Sequence, residues 1–176
     1  MKIKVIIFAK ILMVTIFGFY LRYTVQNHIN SIVVEPLRGT SIKYIEHIIE
    51  ASAKNGMDPA LVAAVIAVES NFKPTARSYA GAKGLMQINN VTARHLKVKD
   101  IYDPKTNINA GVYYLSELSE MFSGKTELML AAYNAGPSTV KKFKGVPPYK
   151  QTARYIQKVM NLFHIYKSHP DFDEYI

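Results

Sequence analysis

The sequence predicts one mainly α-helical domain with at most a very small β element, preceded by an N-terminal hydrophobic helix. Three observations predict it. From Ser41 onward apolar residues recur at helical spacing. No run alternates apolar and polar residues as a half-buried strand would. Glycine and proline punctuate the chain between the periodic stretches. The 176 residues allow one ordinary domain. A hydrophobic fraction of 49%, with 12 Tyr and 8 Phe, suffices for a core and excludes global disorder.

The first segment, residues 1–22, reads as a signal peptide or a signal anchor. Lys2 and Lys4 form a positive start, and Val5–Leu21 is apolar apart from Lys10. That stretch just reaches spanning length if Lys10 snorkels. No small-x-small cleavage site follows Leu21, which favours an anchor. The positive start keeps the N-terminus cytoplasmic and places the rest outside. Residues 23–40 have no sustained period and read as a linker.

Residues 41–168 form the predicted domain. Ile42, Ile45, Ile48 and Ile49 share one helical face, with Ser41 as N-cap and Gly56 as terminator. Asp58-Pro59 opens a second helix, Pro59–Glu69, with Asp at the cap and Pro at the first helical position. It is apolar all round, so it is buried. Further helices are expected over Ile108–Met121, Lys125–Asn134 and Gln151–Lys167. A short pairing is expected near Gly84–Ile88. Residues 169–176 are read as a frayed acidic tail.

Charge and composition narrow the chemistry. The formal net charge is +9, but Lys2, Lys4, Lys10 and Arg22 belong to the address segment, and without these four it is +5. An exported chain meets no chromosomal DNA, so the basic excess does not argue for nucleic acid. With no Cys, a disulfide scaffold, a thiolate zinc site and a Cys nucleophile are excluded. His28, His47, His95, His164 and His169 lack metal-ligand spacing, so no metal or other cofactor is expected. The runs 70–99 and 128–170 carry bases and no acid, which fits a rim for an anionic substrate or an ordinary solvated surface.

Glu69 is the residue out of place. It ends a helix that is otherwise apolar from Ala60. A carboxyl held against apolar walls has a raised pKa and can act as a general acid. A Glu pointing to solvent from a helix end is the plain alternative. Between Asp58 and Asp100 it is the only carboxylate. Most glycosidases use two. The local supply suggests one-acid chemistry, with the substrate bringing its own nucleophile.

Three motifs, Glu69-Ser70-Asn71-Phe72, Gly84-Leu85-Met86-Gln87-Ile88 and Ala131-Ala132-Tyr133-Asn134-Ala135-Gly136-Pro137, resemble the soluble lytic transglycosylase family of goose-type lysozyme-like fold. Gly56 to Ile66 and Asp103 to Leu115 add to the resemblance, which runs from about Ile45 to Val159. It implies a lysozyme-like fold. It implies cleavage of the β-1,4 bond between N-acetylmuramic acid and N-acetylglucosamine in peptidoglycan glycan strands, leaving 1,6-anhydromuramyl ends. Glu69 matches the family's catalytic acid/base. Gln87 resembles a substrate-contacting amide, or else stabilises a turn. Met86 lines the groove or fills core. Ser78 falls where the family often has a serine near the acid, or else is a solvated loop Ser. Tyr133 matches a tyrosine whose hydroxyl reaches the Glu or the substrate. Asn134 touches sugar or caps its helix. Gln151 and Tyr155 occupy the region where the family often shows an acid before a Thr and a Tyr; Gln151 is an amide instead, a departure that puts any assisting carboxylate from this helix in doubt. The expected location is the periplasm or cell envelope, secreted or held to the inner membrane by the N-terminal segment. Two other readings remain: a hydrolytic muramidase on the same fold, and a non-catalytic wall-binding component of a secretion, conjugation or flagellar apparatus.

Overall fold

The structure, a computed structural model, describes residues 42–172. The address segment, the linker, Ser41 and residues 173–176 lie outside the described residues. Among the described residues seven α-helices follow in order: α1 Ile45–Asn55, α2 Pro59–Ser70, α3 Asn90–His95, α4 Pro104–Met121, α5 Thr126–Ala135, α6 Pro137–Phe143 and α7 Lys150–Tyr166. A 3-10 turn, Pro170–Phe172, closes the described chain.

The centre is α2. Every residue from Pro59 to Ile66 is buried, as an all-round apolar helix requires. It packs chiefly on α7, whose buried Thr152, Tyr155, Val159 and Tyr166 fall at helical spacing. Helix α1 packs mainly on α4, and α5 bridges α4, α6 and α7. Among the described residues there is no extended strand. The expected pairing survives as two isolated antiparallel bridges, Arg77 with Lys83 and Lys83 with Ile88.

Several boundaries differ from expectation for physical reasons. Helix α1 begins at Ile45 because the chain before it turns: Tyr44 is left-handed, φ 62°, and the Ile42 N–H is bound by the Asp171 carboxylate at 2.6 Å. Helix α4 begins at Pro104, where Asp103 caps the Thr106 N–H at 2.8 Å. This is the same Asp-Pro signal that opens α2. Helices α3 and α6, of six and seven residues, are too short to show a period. The tail is not frayed as far as Phe172, which is fully buried, and His169 is nearly so.

Candidate active site

Glu69 lies on the last turn of α2. The helix stops just beyond it because Asn71 turns left-handed, φ 49°, with its N–H on the Ala67 carbonyl at 3.0 Å. Phe72 is left-handed too, φ 57°. Two such residues in succession are strained outside glycine, and packing must hold them. The corner fixes where the Glu69 carboxyl projects.

Burial raises the Glu69 pKa to about 7, because desolvation penalises the charged form. The Tyr155 hydroxyl opposes this by favouring the carboxylate. Tyr155 comes from α7, the partner helix of α2. Its hydroxyl is buried and faces Glu69, yet outside strict hydrogen-bond geometry, and it has no other partner among the described residues. Burial and the Glu69 charge both push the Tyr155 phenol well up, so it stays protonated as a donor.

Tyr133, from α5, completes this cluster but not as the sequence predicts. Its hydroxyl donates to the Met86 carbonyl at 2.7 Å rather than to Glu69. Burial and then the Glu69 charge hold its phenol neutral. Its ring leans on Tyr114, centroids 5.7 Å apart. Tyr133 therefore ties the 84–88 loop to the helix beside the acid.

That loop is built on a hub the sequence reading missed. The Asn107 side chain is fully buried on α4. It donates to the carbonyls of Ile101 at 2.7 Å and Lys83 at 3.1 Å, and accepts from the Met86 N–H at 2.8 Å. Gly84 has φ 78°, and a Cβ there would overlap Asn107 and stand 2.6 Å from the Ile101 carbonyl.

Of the two readings of Met86, groove or core, the structure favours core. It is fully buried against Gly111, where a Cβ would lie 2.7 Å from the Met86 Cβ. Gln87 is left-handed, φ 47°, and its amide nitrogen donates to Gly84 and Ala76 carbonyls at 2.9 and 3.2 Å. Its amide thus stabilises the loop. Its carbonyl oxygen has no partner among the described residues. The Ser78 hydroxyl accepts from the Ala82 N–H at 3.0 Å and ties its own turn. Asn134 does not cap α5, which runs to Ala135 with Gly136 as its cap. Its side chain accepts from the Thr152 hydroxyl at 3.0 Å, joining α5 to α7. Gln151 is exposed on the first turn of α7.

A profile of the transglycosylase SLT domain matches residues 46–156. A membrane-bound lytic murein transglycosylase F of Desulfosudis oleivorans is 43% identical over 98 residues, 52% of this chain and 22% of that protein. A transglycosylase of Enterobacteria phage PRD1 is 40% identical over 96 residues, 54% of this chain and 36% of that one. A membrane-bound lytic murein transglycosylase C of Haemophilus influenzae is 33% identical over 142 residues, 68% of this chain and 40% of that one. The chain thus spans well under half the length of these relatives. Among solved structures, an inactive mutant of lytic transglycosylase Slt from Pseudomonas aeruginosa superposes with TM-score 0.65 at 27% identity, covering 71% of this chain and 24% of that one. A soluble lytic transglycosylase complexed with bulgecin A gives TM-score 0.68 at 26% identity, covering 72% and 24%.

Proposed function

This chain belongs to the transglycosylase SLT domain family, and on that footing we propose that it is a peptidoglycan lytic transglycosylase with Glu69 as its one acid/base. The observation that carries the proposal is the Glu69 carboxyl, held half-protonated near neutral pH by desolvation and faced by the Tyr155 phenol. A group with pKa near the working pH can both give and take a proton.

The steps balance on that one group. Protonated Glu69 gives its proton to the oxygen linking N-acetylmuramic acid to N-acetylglucosamine as the C1–O bond breaks. Positive charge develops at the anomeric carbon, and the substrate's N-acetyl group stabilises it. The muramyl C6 hydroxyl then attacks that carbon, and the Glu69 carboxylate removes its proton. The product is a 1,6-anhydromuramyl end, Glu69 is protonated again, and no water is consumed. Tyr155 steadies the carboxylate between the two transfers. The open Gln87 carbonyl oxygen is a site for a sugar N–H or O–H.

The hydrolytic alternative needs a second carboxylate about 5–9.5 Å away, to act as nucleophile or to activate water. Asp58, at the far end of α2, is about 16 Å from Glu69 along the helix. No other carboxylate acts on Glu69 among the described residues, which supports the one-acid route. A non-catalytic component of a secretion, conjugation or flagellar apparatus would give no role to a desolvated carboxyl. Residues 1–22 are proposed as the signal or anchor, residues 23–40 as the linker, and the cell envelope as the location. Among the described residues no helix is long and apolar enough to cross a membrane.

The test is mass spectrometry of murein digested by the full chain. We expect 1,6-anhydromuramyl products. Fragments with reducing ends alone would replace the proposal by hydrolysis, and no fragments from a folded protein would replace it by wall binding.

A further inference from the structure

The turn joining α6 to α7 presents an unusual surface. Phe143, Val146 and Tyr149 are 41%, 38% and 46% exposed, and Pro148 is exposed beside them. They form one tip. Phe143 and Tyr149 pack edge to face, centroids 5.7 Å apart. Val140 and Pro147 are buried beneath and root the tip in the domain. Backbone bonds from the Gly145 N–H to the Val140 carbonyl and from the Tyr149 N–H to the Pro147 carbonyl hold the turn.

Lysines ring this tip. Lys141, Lys142, Lys144 and Lys150 are exposed. None forms an ion pair among the described residues. The sequence has no Asp or Glu from Leu128 to Pro170 to offset them. Apolar and aromatic side chains at the centre with long cationic ones around them make a surface with two demands. The centre needs a partner that accepts hydrocarbon, and the ring needs one that is anionic.

We infer that this tip is a membrane-contact site that seats on the surface of an anionic phospholipid bilayer. Rings such as Phe143 and Tyr149 settle at the boundary of headgroups and acyl chains. Lysine stems lie along that boundary while their ammonium groups reach lipid phosphates, each contributing near an anionic surface. The aliphatic Val146 and Pro148 decide between partners. A glycan or its stem-peptide carboxylates would match the rings and lysines but leave these two without a use. An acyl boundary uses all four apolar side chains. The inference does not depend on the chemistry assigned to Glu69.

The chain contains no Trp, so one introduced Trp reports from one place, whatever else in the full chain meets lipid. The full-length Tyr149→Trp variant is mixed with vesicles carrying brominated acyl chains. With phosphatidylglycerol present, its emission shifts to the blue and is quenched. With phosphatidylcholine alone the effect is far smaller. Tyr79→Trp, exposed in the 77–83 loop, stays unquenched. Adding Lys141→Gln, Lys142→Gln and Lys144→Gln to Tyr149→Trp lowers the quenched fraction by about tenfold or more. Val146→Trp gives the same readout if Tyr149→Trp disturbs folding. Absence of quenching at both positions in anionic vesicles overturns the inference, as does equal quenching at Tyr79→Trp or in neutral vesicles. A blue shift with insoluble peptidoglycan and none with vesicles overturns it as well, and assigns the tip to the wall.

Discussion

The two ends of α2 carry one acid each, and they are opposites. Asp58, at the N-terminus, accepts the Ala60 N–H at 3.0 Å and the Lys167 ammonium at 2.9 Å. The helix dipole also favours its negative charge. Glu69, at the C-terminus, meets the negative end of the same dipole. It is desolvated, and no cation acts on it among the described residues. One helix thus builds a capping, ion-paired carboxylate at one end and a desolvated, cation-free carboxyl at the other. The role proposed for Glu69 rests on withholding what Asp58 is given.

The largest effect that would break this contrast is loss of the proton itself. Glu69→Gln keeps shape and burial but removes the titrating group. We expect turnover to fall by about 10²–10⁴-fold or more, with circular dichroism unchanged. Fragment release at the wild-type rate would remove Glu69 from the mechanism.

The same variant has an opposite effect on stability. The folded pKa of Glu69 is about 7 against an ordinary 4.5. Between those values the unfolded chain has lost the proton that the folded chain keeps, so stability falls as pH rises. Gln cannot ionise and escapes this loss. At pH 8 we expect Glu69→Gln to be more stable than wild type by about 2–3 kcal/mol, trimmed by whatever solvent reaches the carboxyl. At pH 4 the two should coincide. Denaturant melts at both pH values check this. A constant difference would mean that Glu69 is not desolvated.

Tyr155→Phe sharpens the account of how far Glu69 is tuned. The hydroxyl favours the carboxylate, so removing it raises the Glu69 pKa further. The alkaline limb of kcat/KM should move upward from near pH 7. The rate should drop by about tenfold, as the base form is less well held. An unmoved limb with a lower rate would make Tyr155 a packing residue only.

The sequence made Glu69 legible because a lone acid after nine apolar residues stands out, and the motif it opens separates it from a Glu that merely points to solvent. The buried helix and its Asp-Pro cap were equally plain. Its surroundings were harder to read. Tyr155 lies in a region the resemblance marks, but it falls at helical spacing with Thr152 and Val159, so periodicity gives it no role beyond a buried face. Nothing local says that α7 is the helix laid against α2. Tyr133 was found by motif, but its hydroxyl partner, the Met86 carbonyl, depends on a loop fold that spacing cannot give. Asn107 was invisible for the same reason: its three partners lie 6 to 24 residues away. Met86 had two readings, groove or core, and spacing could not choose between them, because an apolar side chain in a functional motif can serve the core beneath the site.

The smallest effect tests the other end of α2. Asp58→Ala removes the cap on the Ala60 N–H and the partner of Lys167. The salt bridge is exposed enough to contribute little, so the cap dominates. We expect a loss of about 1 kcal/mol, seen as a lower denaturant midpoint with an unchanged slope. Pro59 still opens the helix, and α2 remains clamped by α7, so Glu69 should keep its place. Activity per folded molecule and the alkaline limb should therefore match wild type. A shifted limb would show that the two ends are not independent, and that the charge state of Asp58 reaches Glu69 through the helix.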